Sequence, residues 1–257
     1  MSKLRTAVTR AAALGLLACV PSGVSRARAV EPAGDAVLVE LFTSQGCSSC
    51  PSADAHIGEL LRASSHPIVA LTYHVDYWDR LGWKDKYASP AFTARQRAYA
   101  HAFGDGRVYT PQMIIDGAVH FSGSQRAAAK TEIDRAARRR HPVILDIARA
   151  EVGAAGAVHV VIKTRGGGPK TGFFVALAET ETATRVSRGE NAGEHLREYS
   201  VVRALAGPVA PDAVGVVTAT LAAPPDVGRF RVVAFAQDRG TFHVQGATAG
   251  AELRGLR

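Results

Sequence analysis

Short apolar runs alternate with segments of helical period through the first half of the chain. Residues 37–42 form a compact run containing Val37, Val39 and Phe42, suited to a buried strand that leads directly into Thr43-Ser44-Gln45-Gly46. After Pro51 the apolar positions Ala55, Ile57, Leu60 and Leu61 fall at helical spacing, which places Cys47 near a helix start. Proline is tolerated there because first-turn N–H groups have few intrahelical partners. Residues 68–74 read as a second buried strand. Ser89-Pro90 then offers an N-cap and a first helical residue, and Phe92, Tyr99 and Phe103 share one face of the following helix, a pattern of ordinary core packing. Residues 104–107 break that helix, Tyr109-Thr110-Pro111 introduces a strand over 112–116, and Asp116-Gly117 predicts a hairpin with 119–121 returning antiparallel. A helix over 124–140 with a small apolar face closes this half.

Beyond His141-Pro142 the period changes. Strand-like runs occur at 143–148, 158–163, 173–178, 199–204, 214–221, 230–236 and 242–245, separated by turn signals such as Gly166-Gly167-Gly168-Pro169 and Pro224-Pro225. The expectation is a mixed sheet flanked by helices over 35–140, the polar and aromatic segment and helix near its middle forming an insertion, followed by a β-rich, antiparallel sandwich-like domain over 141–257.

Composition narrows the class. With 257 residues and 47% apolar content the chain can bury a core, so it is not a disordered protein. Lys3, Arg5 and Arg10 precede a short apolar run and an Ala27-Arg28-Ala29 pattern, so residues 1–29 read as a signal peptide, with a mature start near Val30 and an exported, periplasmic or secreted destination. That run is much shorter than the roughly 20 residues of a spanning helix, so no stable membrane span is expected. Leu16-Leu17-Ala18-Cys19 loosely resembles a lipobox, which leaves lipoprotein anchoring through Cys19 as the alternative. Without the five cations of the signal the formal charge drops from +8 to +3, and Arg138-Arg139-Arg140 reads as a solvated helix end; no nucleic-acid partner is implied.

The remaining cysteines, Cys47 and Cys50, carry the candidate chemistry. Thiol–disulfide exchange needs a thiolate to attack and a nearby thiol to resolve the mixed disulfide, and a Cys-x-x-Cys at a helix start meets both needs: the dipole's positive end favours the first thiolate. Cys47 is then the nucleophile and Cys50 the resolver. Two alternatives stay open: a copper or zinc carrier using Cys47, Cys50 and His74, and a binding module in which the cysteines form an inert staple. A structural zinc site normally has four ligands, and neither a second cysteine pair nor a closely spaced histidine pair is present. His74, Asp76, Trp78 and Trp83 could line a cleft or pack their segment onto the sheet, and Glu40, which interrupts an apolar strand shortly before the cysteines, could be buried or solvated at an edge.

Gly46-Cys47-Ser48-Ser49-Cys50-Pro51 after a strand, with Thr110-Pro111 before a later one, resembles the thioredoxin active site and its cis-proline loop. Residues 39–47, His74-Val75-Asp76-Tyr77-Trp78-Asp79, Gly82-Trp83-Lys84-Asp85, Gly189-Glu190-Asn191-Ala192-Gly193 and Val201-Val202-Arg203 resemble a family of secreted bacterial thioredoxin-like proteins catalogued as a domain of unknown function. The resemblance implies an α/β thioredoxin-like domain, a cis peptide at Pro111 with Thr110 beside it facing the disulfide, and a buried-acid role for Glu40 in moving a proton to or from Cys50. It also implies exchange with protein thiols or disulfides and with small thiols, with no cofactor and no metal. Gly46 stands where thioredoxin has tryptophan, and Ser48-Ser49 where it has Gly-Pro.

Overall fold

The computed structural model describes residues 36–153 and 156–254; the signal assignment, the mature start and Cys19 lie outside them. Strand β1 (Val37–Thr43) runs into the cysteine loop, helix α1 (Pro51–Ala63) returns, and β2 (Ile68–His74) pairs with β1 in parallel, as a helical crossover permits. Helix α2 (Pro90–Phe103) starts as its sequence predicts: Pro90 occupies the first turn and the Ser89 side chain accepts from the Ala91 N–H. Strands β3 (Gln112–Ile115) and β4 (Val119–Ser122) form the expected hairpin, with Asp116 and Gly117 both at positive φ, the backbone that an Asp-Gly turn supplies at low cost. Helix α3 (Arg126–Ala136) closes this half and is shorter than the sequence pattern suggested, with residues 138–140 exposed beyond its end.

The second half consists of β5 (Ile144–Val152), β6 (Ala157–Arg165), β7 (Thr171–Arg185), β8 (His195–Val209), β9 (Val216–Ala222), β10 (Arg229–Asp238) and β11 (Val244–Arg254). Every strand-like run of the sequence is present, but β7 and β8 each extend over 15 residues, well beyond the six-residue apolar runs that announce them.

The expectation of an α/β thioredoxin-like domain followed by an antiparallel β-sandwich-like domain is wrong. The molecule is mostly β, with three α-helices among the described residues, and its principal layer is a single mixed sheet in the order β11-β10-β7-β8-β2-β1-β3-β4. Only β5, β6 and β9 form a separate sheet. The seam between the halves is narrow. Thr72 and Val201 pair in parallel, and two hydroxyls do the work of further ladder bonds: Thr72 Oγ1 donates to the Tyr199 carbonyl at 2.7 Å and Ser200 Oγ to that of Ala70 at 2.5 Å. Once the long β7–β8 hairpin adds to the free edge of β2, strands assigned to a second domain become a continuation of the first sheet.

Side-chain alternation along β1 sets the layers. Val37, Val39 and Leu41 bury against Ala53 and Ile57 of α1 and Ala129 and Ile133 of α3. Leu38 and Phe42 face Phe92 and Tyr99 of α2 and share a core with Val233 and Phe235 of β10, so this face of the sheet encloses residues from both halves. The small sheet covers a third core, setting Val160, Ile162 and Val217 against Val175, Leu177 and Val232. Each large apolar side chain so enclosed contributes about 1.5–3 kcal/mol of transfer free energy.

Candidate functional site

The site lies where β1 ends and α1 begins. Gly46 N–H donates to Ser44 Oγ and Cys47 N–H to the Ser44 carbonyl, turning the chain so that Cys50 becomes the N-cap of α1 and Pro51 its first residue. Cys47 and Cys50 form a disulfide with Cα atoms 5.4 Å apart, which sets Cys47 over the positive end of the helix. Neither cysteine exposes any surface, whereas Ser48 and Ser49 between them are exposed. The Ser49 hydroxyl lies 3.4 Å from Cys47 Sγ.

Trp78 forms one wall. A Cβ on Gly46 would sit 3.2 Å from Trp78 Cβ, which accounts for glycine before the first cysteine. The indole N–H of Trp78 donates to Thr110 Oγ1 at 2.8 Å, and the Thr110-Pro111 peptide is cis. Pro111 accepts from Gly123 N–H, and a Cβ on Gly123 would meet Ala53 of α1 at 2.9 Å and Pro111 at 3.5 Å. Thr110 and Pro111 are thus brought to the first turn of the cysteine helix, some 60 residues away in sequence. The opposite wall comes from the β7–β8 connection: Asn191 Nδ2 donates to the carbonyls of Gln45 and Cys47 at 2.9 and 3.0 Å, and the Glu190 carboxylate accepts from Ser48 N–H at 3.1 Å. The Ser48 hydroxyl and N–H hold Glu190 below the usual carboxylate range.

Beneath the disulfide lies a buried ionisable cluster that the sequence did not reveal. Asp54 follows Cys50 by one helical turn, so the two side chains share a face of α1. Burial pushes its carboxyl up to about 8, with Glu198 adding to the effect. His74 Nδ1 lies 2.7 Å from Asp85 Oδ2 with both side chains fully enclosed. Burial opposes the imidazolium, but Asp85, reinforced by Glu198 and Asp54, outweighs it and raises His74 to about 9. Burial would likewise raise Asp85, yet His74 and the N–H groups of Gln45 and Tyr87 hold it low. Glu198 is raised by burial; its Oε2 accepts from Gln45 Nε2 and Thr182 Oγ1. At neutral pH this is a charged His74–Asp85 pair beside a protonated Asp54. Asp54 Oδ1, His74 Nε2, Glu198 Oε1 and Thr43 Oγ1 are all buried without a hydrogen-bond partner, an expensive state for polar groups.

Gln45 couples the cluster to the cysteine loop. Its backbone N–H donates to Asp85 Oδ2, its side-chain Nε2 donates to Glu198 and Thr184, and its side-chain Oε1 accepts from the Trp83 indole at 3.1 Å. His74, Trp78 and Trp83 therefore all serve this region, while Asp76 accepts from Thr93 Oγ1 at 2.6 Å and ties its segment to α2 instead.

Glu40 is elsewhere. It is buried, but on the face of β1 turned away from α1, where it pairs with Arg95 and accepts from Tyr99. Its carboxylate is aimed at α2 rather than at Cys50, because a one-residue difference along a strand moves a side chain to the opposite face. The acid beside Cys50 is Asp54, whose only sequence signal was its spacing on the helix. Glu190, Asn191 and Asp85 lay in motifs noticed for their resemblance, with no property of their own marking a role. Among the described residues no group of three or more His, Cys, Asp or Glu side chains is arranged to hold a metal ion, and His74 is engaged with Asp85. A cavity of about 850 Å³ between α2, β8 and β10 includes neither cysteine.

Fold and site together define a protein built on a mixed β-sheet with an enclosed Cys-x-x-Cys disulfide at a helix N-terminus, set above a buried acid–histidine cluster. The chain belongs to the family described as a protein of unknown function (DUF1223), which matches residues 38–237. It is similar to protein AGR_C_4864 from Agrobacterium tumefaciens, known from a crystal structure, with 28% identity and a TM-score of 0.61 over 83% of this chain and 93% of that one. No curated protein matches the chain.

Proposed function

We propose that this protein is an exported thiol–disulfide oxidoreductase of the thioredoxin-like type in its local chemistry, exchanging the Cys47–Cys50 disulfide with protein thiols or small thiols. One observation carries the reading: the disulfide sits at the N-cap of α1 with the buried Asp54 carboxyl, its proton affinity raised by burial, one turn along the helix from Cys50. In the oxidised form a partner thiolate attacks Cys47 Sγ; the Cys47–Cys50 bond breaks, a mixed disulfide forms on Cys47, and Cys50 leaves as a thiolate. Asp54 supplies the proton that Cys50 takes up. Attack by the partner's second thiol on its own mixed-disulfide sulfur releases Cys47, so the partner loses two electrons and the protein gains them. The reverse sequence oxidises the protein and reduces the partner. Thr110 and Pro111 flank the exchange, and the reading of residues 1–29 as a signal supports a compartment where disulfides persist.

The division of labour between the cysteines is testable in exported protein. Cys50→Ser should accumulate mixed disulfides through Cys47, because the resolving thiol is gone, whereas Cys47→Ser should not. Non-reducing gels followed by identification of the cross-linked species read the result. Equal trapping by both variants, or trapping by Cys47→Ser alone, would overturn the assigned roles.

A further inference from the structure

We infer that Glu190 and Asn191 are specificity-determining residues of this site: the β7–β8 connection closes over Cys47 and restricts exchange to slender, unhindered thiols. The inference rests on the exchange reading and adds the class of partner. An incoming thiolate must approach Cys47 Sγ from the side opposite Cys50, yet Cys47 has no exposed surface. Two walls enclose its loop, and they are fastened differently. The Trp78 wall is wedged against Gly46 and anchored through its indole to Thr110. The other wall rests on three hydrogen bonds made by two consecutive residues: Asn191 donates to the Gln45 and Cys47 carbonyls, and Glu190 accepts from the Ser48 N–H.

The same connection is built to move as one piece. Val186 is bonded twice across its base, accepting from Gly193 N–H and donating to the Glu194 carbonyl, while the N–H groups of Ala192 and Glu194 close internal turns. Gly189 and Gly193 hold positive φ at either end of the Glu190–Ala192 tip, conformations that glycine adopts freely. Glu190 and residues 192–194 are exposed while Asn191 is buried, so the tip is held by the bonds of Asn191 rather than by apolar burial. A small thiol needs only a partial opening beside Ser48 and Ser49, which already face solvent. A thiol on a folded surface needs the whole tip displaced, since its own bulk would collide with residues 188–193. A thiol on an extended chain meets the same requirement as a small molecule, because its flanks are narrow.

The test measures reduction of Cys47–Cys50 in the oxidised full chain, quenched by alkylation and read by mass. The reductants are dithiothreitol, an unstructured peptide with two cysteines, and a folded single-domain protein with an exposed dithiol. The wild-type chain should react with the first two much faster than with the third. Asn191→Ala removes two of the three fastenings and should raise the folded-protein rate by about tenfold, with a smaller gain for dithiothreitol. Glu190→Ala, an exposed position that does not threaten folding, should act in the same direction by a smaller factor. Rates unchanged in both variants, or raised equally for all three reductants, would overturn the inference. These rates report access and do not depend on trapping of a cellular partner, so this inference and the exchange reading can fail separately.

Discussion

Strand β1 carries a buried ionisable network against each of its faces, and the two differ in how completely they are satisfied. On the α2 side, Glu40 meets the Arg95 guanidinium and the Tyr99 hydroxyl, and Gln237 accepts from Arg95 while its amide donates to Tyr99. Arg95 also lies about 5 Å from the ring centroids of Tyr73, Tyr99, Phe174 and Phe235. Charge balances charge, and the polar atoms of Glu40, Arg95 and Gln237 are partnered, although the buried Tyr73 hydroxyl beside them is not. On the α1 side three carboxyl groups share one histidine, and Asp54, His74, Glu198 and Thr43 each keep an unpartnered buried atom. A closed network joins two halves of a sheet. An open one, with groups whose proton affinities have been moved toward neutrality, is suited to proton transfer. Burial of a charged residue near a motif is therefore a weaker guide to function than what remains unpaired around it.

The sharpest break of this comparison is Arg95→Leu. Glu40 would be left as an uncompensated buried charge, costing about 3–5 kcal/mol in denaturant unfolding. The double variant Arg95→Leu with Glu40→Gln should recover much of that loss, while the reactivity of the cysteines stays at the wild-type level in both. A cysteine site as perturbed as the fold would mean that the two networks are not separate. On the other face Asp54→Asn mimics the neutral carboxyl without the proton uptake that folding requires of Asp54, so it should be at least as stable as wild type at pH 6, yet slow exchange by about a hundredfold through loss of the proton donor. Stopped-flow exchange with a small dithiol checks this, and an undiminished rate would remove Asp54 from the mechanism.

Packing of the α1 layer onto the second half gives a smaller effect. A Cβ on Gly58 would fall 2.5 Å from the Tyr199 ring, so Gly58→Ala should cost about 1–3 kcal/mol by overpacking, read from the denaturation midpoint. The most gradual effect is a pH dependence carried by the α1 side. Asp54 and His74 have folded values raised to about 8 and about 9, so their contribution is complete at low pH and disappears as pH rises through those values. Thermal stability should fall as pH rises from about 4 to 9, through Asp54 up to about pH 8 and through His74 between about pH 6.5 and 9. Asp54→Asn should flatten the lower part of that slope, and Arg95→Leu should not.

Local features were legible in the chain before folding was considered. The strand–cysteine–helix order, Pro51 in the first turn, the Ser89-Pro90 helix start and the Asp116-Gly117 hairpin all follow from interactions within a few residues, and each is present. So is every strand-like run of the second half, because period-two burial is a local pattern. What only the tertiary structure decided is which of those pieces meet. Hydrophobic period does not say that β8 pairs with β2 across more than 120 residues, and this pairing joins strands of both halves in the eight-stranded sheet. Nor does it say which acid lies beside Cys50: Glu40 and Asp54 both interrupt buried segments, and the choice depends on which face of β1 receives α1. The enclosure of Cys47 by Asn191 arises from the same cause, since a loop acquires its neighbours only after the long hairpin that carries it has docked.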